Sequence, residues 1–370
     1  CTGKYLVPGF IDAHMHIESC MAAPGELAKV LAKAGTTTII ADPHEIVNVS
    51  GTKGMDYFLK CAAKLLVNVF FMVPSAVPAT DVETNGCGEF LASDMMKYVD
   101  NARVLGLGET MRFMECCEGE KRMADKLELF AKKHIDGHAP GIRGKEVQAY
   151  RLAGVENDHE CSTAEEVLDK LRAGLHIYVR EGSGAKNLET LIKTMLDAGV
   201  CLDRCAFCTD DKHVEEIRKE GHISTCIRKA IALGVPVAKA YKMGSYQAAE
   251  FYGLKNYGAI GAGYRADIVF LDDLEQVRPL DVMKDGRILT EEDYAKDYSV
   301  PVPDELLHTV HVGEVTKEKI RLSCDGKTDV IQMNPHQIVT THLVEEVPAE
   351  NGYFKPDGVY NKICVVERHG

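Results

Sequence analysis

The sequence predicts an α/β protein whose main domain is a TIM-type (β/α)8 barrel, with a β-rich region after it. Eight short β-branched runs alternate with longer amphipathic stretches between residue 6 and about residue 234, which is the size of such a barrel. No glycine-rich phosphate turn follows the first run, and this disfavours a doubly wound open sheet, the structural alternative. The predicted strands begin near Leu6, Thr36, Val67, Arg103, His134, Val155, His176 and Cys205.

The helices between these strands are predicted from apolar periodicity and from their terminal residues. In the first helix, Pro24 stands near the start and Gly35 just past the end, the usual placement of these two residues. The run from Pro236 to Tyr252 predicts one more helix after the barrel. The helices predicted between the strands cover residues 24–34, 55–66, 121–132, 145–153, 163–173, 185–198 and 223–233.

Composition excludes several classes of function. The net charge of −13 argues against a nucleic-acid groove, which needs clustered lysine and arginine. No apolar stretch approaches the ~18 residues of a membrane span, so we expect no membrane partner. The thirteen cysteines are odd in number and scattered, which is typical of reduced thiols in the cytoplasm.

The strand ends carry the residues that indicate chemistry, because catalytic groups of such barrels lie at the C-terminal ends of the strands. His14 and His16 point to the same face of the first strand, where two imidazoles can hold one metal ion. Histidines and carboxylates follow most of the other strands and lysine is almost absent, which matches a two-metal hydrolytic centre. These later strand ends are Asp42-Pro43-His44-Glu45, Pro74-Ser75, Glu109, Asp136-Gly137-His138, Asp158-His159-Glu160, Arg180-Glu181-Gly182-Ser183 and Thr209-Asp210-Asp211.

Two segments resemble the amidohydrolase superfamily. Residues 8–16 are similar to its first barrel strand, and residues 258–272 are similar to the segment where its chains re-enter a small β-sandwich. More narrowly, the chain resembles the bacterial adenine deaminase family from residue 4 to about residue 290. This resemblance rests on Ala41-Asp42-Pro43-His44-Glu45-Ile46-Val47-Asn48-Val49, Leu107-Gly108-Glu109, Asp136-Gly137-His138-Ala139-Pro140-Gly141, Asp158-His159-Glu160-Cys161, Arg180-Glu181-Gly182-Ser183 and Cys208-Thr209-Asp210-Asp211.

The resemblance also implies a division into three regions: residues 1–255 form the barrel, 256–295 add strands of a small β-sandwich, and 296–370 begin a C-terminal domain. Chains of the family carry sandwich strands before the barrel and a longer C-terminal region, so this sequence is interpreted as a fragment truncated at both ends. The sandwich is then partly missing, and we expect residues 268–271 to form an unpaired apolar edge.

The resemblance implies hydrolysis of adenine to hypoxanthine and ammonia, with attack at C6 by water that a metal has activated. Two divalent ions are implied, Mn²⁺ first and Fe²⁺ or Zn²⁺ as alternatives, in a cytoplasmic homo-oligomer, a dimer. Asp210 would also transfer protons, and Glu45 would protonate the ring, with Glu160 and Glu181 as competitors. The implied metal ligands are His14, His16 and Asp210 for one ion, His138 and His159 for the other, and Glu109 as the bridge; the implied substrate contacts are His44, Glu160, Arg180, Glu181, Ser183 and Asp211.

Alternative functions remain open at this point. Cys201, Cys205 and Cys208 have the spacing of a radical-SAM iron–sulfur loop, but that loop normally follows the first strand rather than leading into the eighth. His16-Ile17-Glu18 resembles half of the cytidine-deaminase zinc signature, but the chain contains no Pro-Cys. Another deaminase or cyclic-amide hydrolase of the superfamily, or an inactive metal-binding homologue, would also account for the strand-end residues.

Overall fold

A computed structural model describes residues 3–369 and confirms the predicted barrel. Seven of the eight predicted strands begin within two residues of the predicted position, and the exception is the first. The strands are β1 (Tyr5–Pro8), β2 (Phe10–Met15), β3 (Thr36–Ala41), β4 (Asn68–Val73), β5 (Val104–Leu107), β6 (His134–Ile135), β7 (Asn157–Asp158), β8 (His176–Arg180), β9 (Cys205–Cys208), β10 (Ile268–Leu271), β11 (Pro279–Lys284), β12 (Arg287–Ile288), β13 (Lys327–Gln332), β14 (Thr341–Glu346), β15 (Ala349–Glu350) and β16 (Tyr353–Phe354).

Strands β2 to β9 form the barrel wall, and all of their pairings are parallel. β2 to β6 make one five-stranded sheet and β7 to β9 a three-stranded one. A parallel bridge between Met15 and Asp210 joins β9 to β2, and the Glu156 amide donates to the Ile135 carbonyl (3.0 Å) between β6 and β7. The carboxyl ends of all eight strands therefore open on one face.

The first apolar run is two strands rather than one. β1 pairs antiparallel with β10, while β2 pairs with β3 inside the barrel. The chain changes sheets at Gly9, where a Cβ atom would collide with the side chain of Thr37. Since β10 lies between β1 and β11, the prediction that residues 268–271 form an unpaired edge is wrong.

The helices cover the outside of the barrel, and α8 begins with a capping box between Thr163 and Glu166. The prediction of a single helix over residues 236–252 is wrong. One helix ends just before Gly244 and another begins just after Ser245. A Cβ on Gly244 would lie 2.6 Å from Ile227, so the backbone packs closely there. The helices are α1 (Pro24–Lys33), α2 (His44–Ser50), α3 (Thr52–Ala62), α4 (Ala92–Met95), α5 (Phe113–Glu118), α6 (Lys121–Leu129), α7 (Lys145–Leu152), α8 (Ala164–Arg172), α9 (Leu188–Asp197), α10 (Val214–Glu220), α11 (Ile223–Ala232), α12 (Val237–Met243), α13 (Tyr246–Phe251), α14 (Glu291–Ala295) and α15 (Asp304–Leu307).

The core has two layers. Side chains inside the barrel, such as Ile11, Ile40 and Met72, are almost fully buried, and larger apolar clusters fill the space between strands and helices. Burial of each aliphatic side chain stabilises the fold by roughly 1.5–3 kcal/mol. Among residues 3–369 we find no helix that is long and apolar enough to cross a membrane.

After the barrel the chain is mostly β-structure with much exposed surface. β13 and β14 form an antiparallel hairpin, and the turn between them reaches back to the barrel. There the amide of Lys186 donates to the carbonyl of His336 (3.1 Å). The turn therefore lies beside the loop that follows β8.

Candidate metal centre

The carboxylate of Glu109 lies at the centre of the strand-end residues and is 2% exposed. Its Oε1 atom is 3.2 Å from His16 Nε2 and 3.2 Å from His44 Nδ1. Its Oε2 atom is 2.6 Å from His138 Nδ1 and 3.3 Å from His159 Nε2. Each oxygen of one carboxylate thus faces a different group of histidines.

Asp210 joins the first of these groups. The Nε2 atoms of His14 and His16 are 3.2 Å apart, and Asp210 Oδ1 lies 3.0 Å from His16 Nε2 and 3.8 Å from His14 Nε2. The other ring nitrogen of His16 donates to the carbonyl of Asp42 (2.8 Å), which directs Nε2 into the cluster. Such a bond from the second nitrogen is usual for metal-binding histidines.

The donor set fits divalent metal ions. His14, His16 and Glu109, and likewise Glu109, His138 and His159, place ligand atoms within 4.8 Å of one another. The Nδ1 atom of the buried His159 lacks a hydrogen-bond partner among the described residues, although such buried groups normally have one. Imidazole and carboxylate together suit manganese, iron or zinc.

Burial and neighbouring charges act in opposite directions on the pKa values of the carboxyl groups in the cluster. Burial raises the pKa of the Glu109 and Asp210 carboxyls, but neighbouring histidines outweigh it and hold both pKa values well below the usual range. Asp42 accepts from the Glu109 amide (2.8 Å), and burial together with the Glu109 charge raises its pKa to about 7. Glu109 and Asp210 are therefore ionised at neutral pH.

Arg180 and Glu160, predicted as substrate contacts, are buried within the centre. Arg180 Nη1 donates to Asp210 Oδ2 (2.8 Å) and to Glu160, and the arginine side chain is fully buried. Glu160 Oε1 is 3.2 Å from His159 Nε2. Arg180 consequently fixes the carboxylates that surround the histidines.

Glu45, His44 and Asp211 lie at the rim of the centre. The Glu45 side chain is 38% exposed, with Oε2 3.8 Å from His16 Nδ1 and Oε1 3.7 Å from His44 Nε2. Asp211 shares a possible metal-binding group with His16 and Asp210. A carboxyl at Glu45 can therefore reach both solvent and the cluster.

Two predicted substrate contacts point elsewhere. The Glu181 carboxylate pairs with Lys229 (2.5 Å) on α11, and Ser183 Oγ accepts from the backbone amide of His213 (3.0 Å). Both side chains already have these partners, and their contact with the substrate stays a prediction.

The cysteine-rich segment does not build an iron–sulfur site. Cys205 packs between β9 and the outer helices, whereas Cys208 belongs to the barrel interior. Residues three apart on a strand point to opposite faces, so these two thiols cannot converge on one cluster.

The structure shows what holds Asp136 and Asp158, the carboxylates that the sequence places just before His138 and His159, and it adds Lys170, which sequence reasoning missed. The buried Asp158 accepts from the amides of Ala139 and Glu160 (both 2.9 Å) and pairs with the buried Lys170 (2.8 Å). It thus fixes the backbone directly after His138 and His159, and orients these two histidines through the main chain. Asp136 accepts from Tyr252 (2.7 Å) and Asn157.

Glu18 is a second residue that sequence reasoning missed. Its Oε1 accepts from the amide of Ile46 (3.1 Å), while Oε2 is buried without a hydrogen-bond partner among the described residues. Burial, followed by the charge of the neighbouring Glu45, raises its pKa to about 8. The position of Glu18 two residues after His16 was the available signal.

Comparisons with known proteins identify relatives of this chain. The adenine deaminase of Desulfitobacterium hafniense is 45% identical over 369 residues, and adenine deaminase 2 of Carboxydothermus hydrogenoformans is 42% identical over 371. These alignments cover 100% and 99% of this chain but only 64% and 65% of the relatives, so the chain spans less than two thirds of their length.

Solved structures show the same fold. The crystal structure of an adenine deaminase superposes with a TM-score of 0.56 at 19% identity, over 78% of this chain and 87% of that one. A β-aspartyl dipeptidase from Fervidobacterium islandicum gives 0.56 at 18% identity, over 79% and 84%. The model of the amidohydrolase family matches residues 5–289, which contain the whole barrel and all of the strand-end residues described above. The chain therefore belongs to the amidohydrolase family.

Proposed function

We propose that this chain forms the catalytic part of an enzyme that hydrolyses adenine to hypoxanthine and ammonia. The observation that carries the proposal is Glu109, a buried carboxylate whose two oxygens face two different sets of histidines. The 42–45% identity to adenine deaminases supports the choice of substrate within the family.

The proposed centre holds two divalent ions. His14, His16 and Asp210 would hold one ion, His138 and His159 the other, with Glu109 between them. Mn²⁺ is proposed first, with Fe²⁺ or Zn²⁺ as alternatives, because imidazole and carboxylate ligands suit all three. When bound, such ions lower the pKa of water towards neutrality and so supply a nucleophile.

The chain's own carboxylates would move the protons. Asp210 Oδ2 is held by Arg180, so Oδ1 is the atom that faces the cluster and can take a proton from the attacking water. The same atom can then give this proton to the departing amine nitrogen. Glu45, at the rim, is placed to protonate a ring nitrogen of the substrate.

Ammonia release tests the proposal. Protein reconstituted with Mn²⁺ would be offered adenine, guanine, adenosine and a cyclic amide, with metal content measured on the same samples. We expect ammonia from adenine and two equivalents of metal per chain. Turnover of another compound in place of adenine would favour another hydrolase of the superfamily. Full metal content without any turnover would favour an inactive homologue. A single equivalent of metal would contradict the two-ion centre.

The assembly and location follow from the family resemblance and are part of the proposal. A homodimer in the cytoplasm is proposed, and the twelve cysteines recorded among residues 3–369 are all free thiols, as a reducing compartment requires. Sedimentation of the purified chain would test the dimer.

A further inference from the structure

A cavity of about 380 Å³ lies between the candidate metal centre and the C-terminal hairpin. One side is formed by Arg180, Asp210 and Asp211, and the other by residues 333–338, the turn between β13 and β14. Ligand pockets of proteins commonly have volumes of this order. The cavity therefore has room for a small molecule that touches both Asp210 and the turn.

Hydrogen bonds hold the turn in this position. The carbonyl of His336 accepts from the amide of Lys186 (3.1 Å), and Gln337 Oε1 accepts from Asn187 Nδ2 (3.0 Å). The buried Asn187 in turn accepts from Arg180 Nη2 (3.1 Å), and Arg180 donates to Asp210. The turn is thus joined to the proposed proton carrier through two buried side chains.

The turn presents apolar side chains to a cavity whose opposite side carries the charges of Arg180, Asp210 and Asp211. Met333 is 77% exposed and Ile338 is 42% exposed, although both line the cavity, as does Pro335. Exposed apolar side chains beside a binding site gain free energy when a ligand removes them from water. A flat heteroaromatic ring can bury them while its polar edge faces the carboxylates.

We propose that residues 333–338 are the outer wall of the substrate pocket, with Met333 and Ile338 against the face of the purine ring. This inference rests on the proposed function and assigns specificity-determining residues to the C-terminal region. Gln337 is a positioning residue, because it acts through its bond to Asn187.

The test compares side chains on one hairpin. We expect the double variant Met333→Ala/Ile338→Ala to raise KM for adenine about tenfold or more while kcat changes less than twofold, since the removed contacts bind substrate and transition state alike. Ile331→Ala is the matched control: Ile331 lies on β13, is 60% exposed and does not line the cavity. Gln337→Ala should raise KM as well, whereas Gln337→Glu keeps the acceptor for Asn187 and should stay near the wild type.

Equilibrium dialysis with adenine gives a readout independent of turnover. Wild-type protein that binds adenine without releasing ammonia would refute the proposed function, and weaker binding by the double variant would still support the wall. If the double variant binds adenine as tightly as the wild type, or if Ile331→Ala loses as much affinity, the proposed wall is refuted while the proposed function stands. Failure of the wild type to bind adenine would overturn both proposals.

Discussion

Replacing Lys170 with methionine should strongly destabilise the barrel. Lys170 Nζ lies 2.8 Å from Asp158 Oδ1 and 2.7 Å from the carbonyl of Ala139, and both charged side chains are fully buried. Methionine fills similar space but leaves the Asp158 carboxylate buried without its cation. Removing one partner of a buried pair costs about 3–5 kcal/mol, a large share of the ~5–15 kcal/mol that stabilises a typical protein.

Thermal and urea unfolding measure this loss, with Lys193→Met as the control. Lys193 makes an exposed ion pair with Glu189 on α9, and such helical pairs contribute only about 0.3–0.5 kcal/mol. We expect the melting temperature to fall by roughly 6–20 °C for Lys170→Met and by 2 °C or less for Lys193→Met. Equal shifts in the two variants would refute the reasoning.

The pH dependence of Lys170→Met adds a second check. In the wild type, burial raises the pKa of the Asp158 carboxyl, but Lys170 outweighs it and holds this pKa below the usual value. In the wild type, Asp158 therefore contributes to the free energy of unfolding at pH values above its pKa in the unfolded chain, and this contribution is lost only in acid. Without Lys170 the pKa of Asp158 should rise, because the largest charge that opposes the effect of burial has been removed. The loss of unfolding free energy in Lys170→Met, relative to the wild type, should consequently be smaller at pH 5 than at pH 8. A loss that grows in acid would contradict the pairing of Lys170 with an ionised Asp158.

Two further substitutions address the centre itself. Glu109→Gln keeps the volume but removes the charge between the histidines, so we expect loss of bound metal and of nearly all ammonia release, while Glu118→Gln, an exposed control, keeps both; full metal content with normal turnover would show that Glu109 is only structural. Asp210→Asn should retain most of the metal yet slow turnover by about 10²–10⁴-fold, because an amide cannot carry the proton. The exposed control Asp197→Asn should be neutral, and a loss under tenfold in Asp210→Asn would move the role to Asp211.

The barrel could be predicted from sequence because its signals are local. Apolar runs and helix periodicity place seven strands within two residues, and one strand end after another supplies a candidate ligand. Nothing in the apolar run from Leu6 to Ile11 marks the change of sheet at Gly9, where the close approach of Thr37 leaves no room for a Cβ atom. That contact joins residues distant in sequence, so no local pattern reveals it.

The orientation of side chains at the centre could not be predicted for the same reason. Glu181 and Ser183 stand at a strand end like Arg180, but they pair with Lys229 and His213, which come from later segments. Asp158 was singled out by its place before His159, yet its cation, Lys170, lies in the next helix. Strand ends thus identify the set of candidate residues, and tertiary pairing selects among them.

One carboxylate beneath the candidate centre links the ends of the first and last barrel strands. Asp12 Oδ1 accepts from the amides of His14 (3.1 Å) and Thr209 (3.2 Å), and Oδ2 accepts from the Thr209 hydroxyl and lies 3.1 Å from His222 Nε2. Every one of these groups is buried. Since Asp12 binds the amide of His14 itself and the amide of Thr209, the residue before Asp210, the same bonds close the barrel between β9 and β2 and position the candidate centre. A site built on rigid strands and fixed from below in this way is preorganised before any ligand arrives.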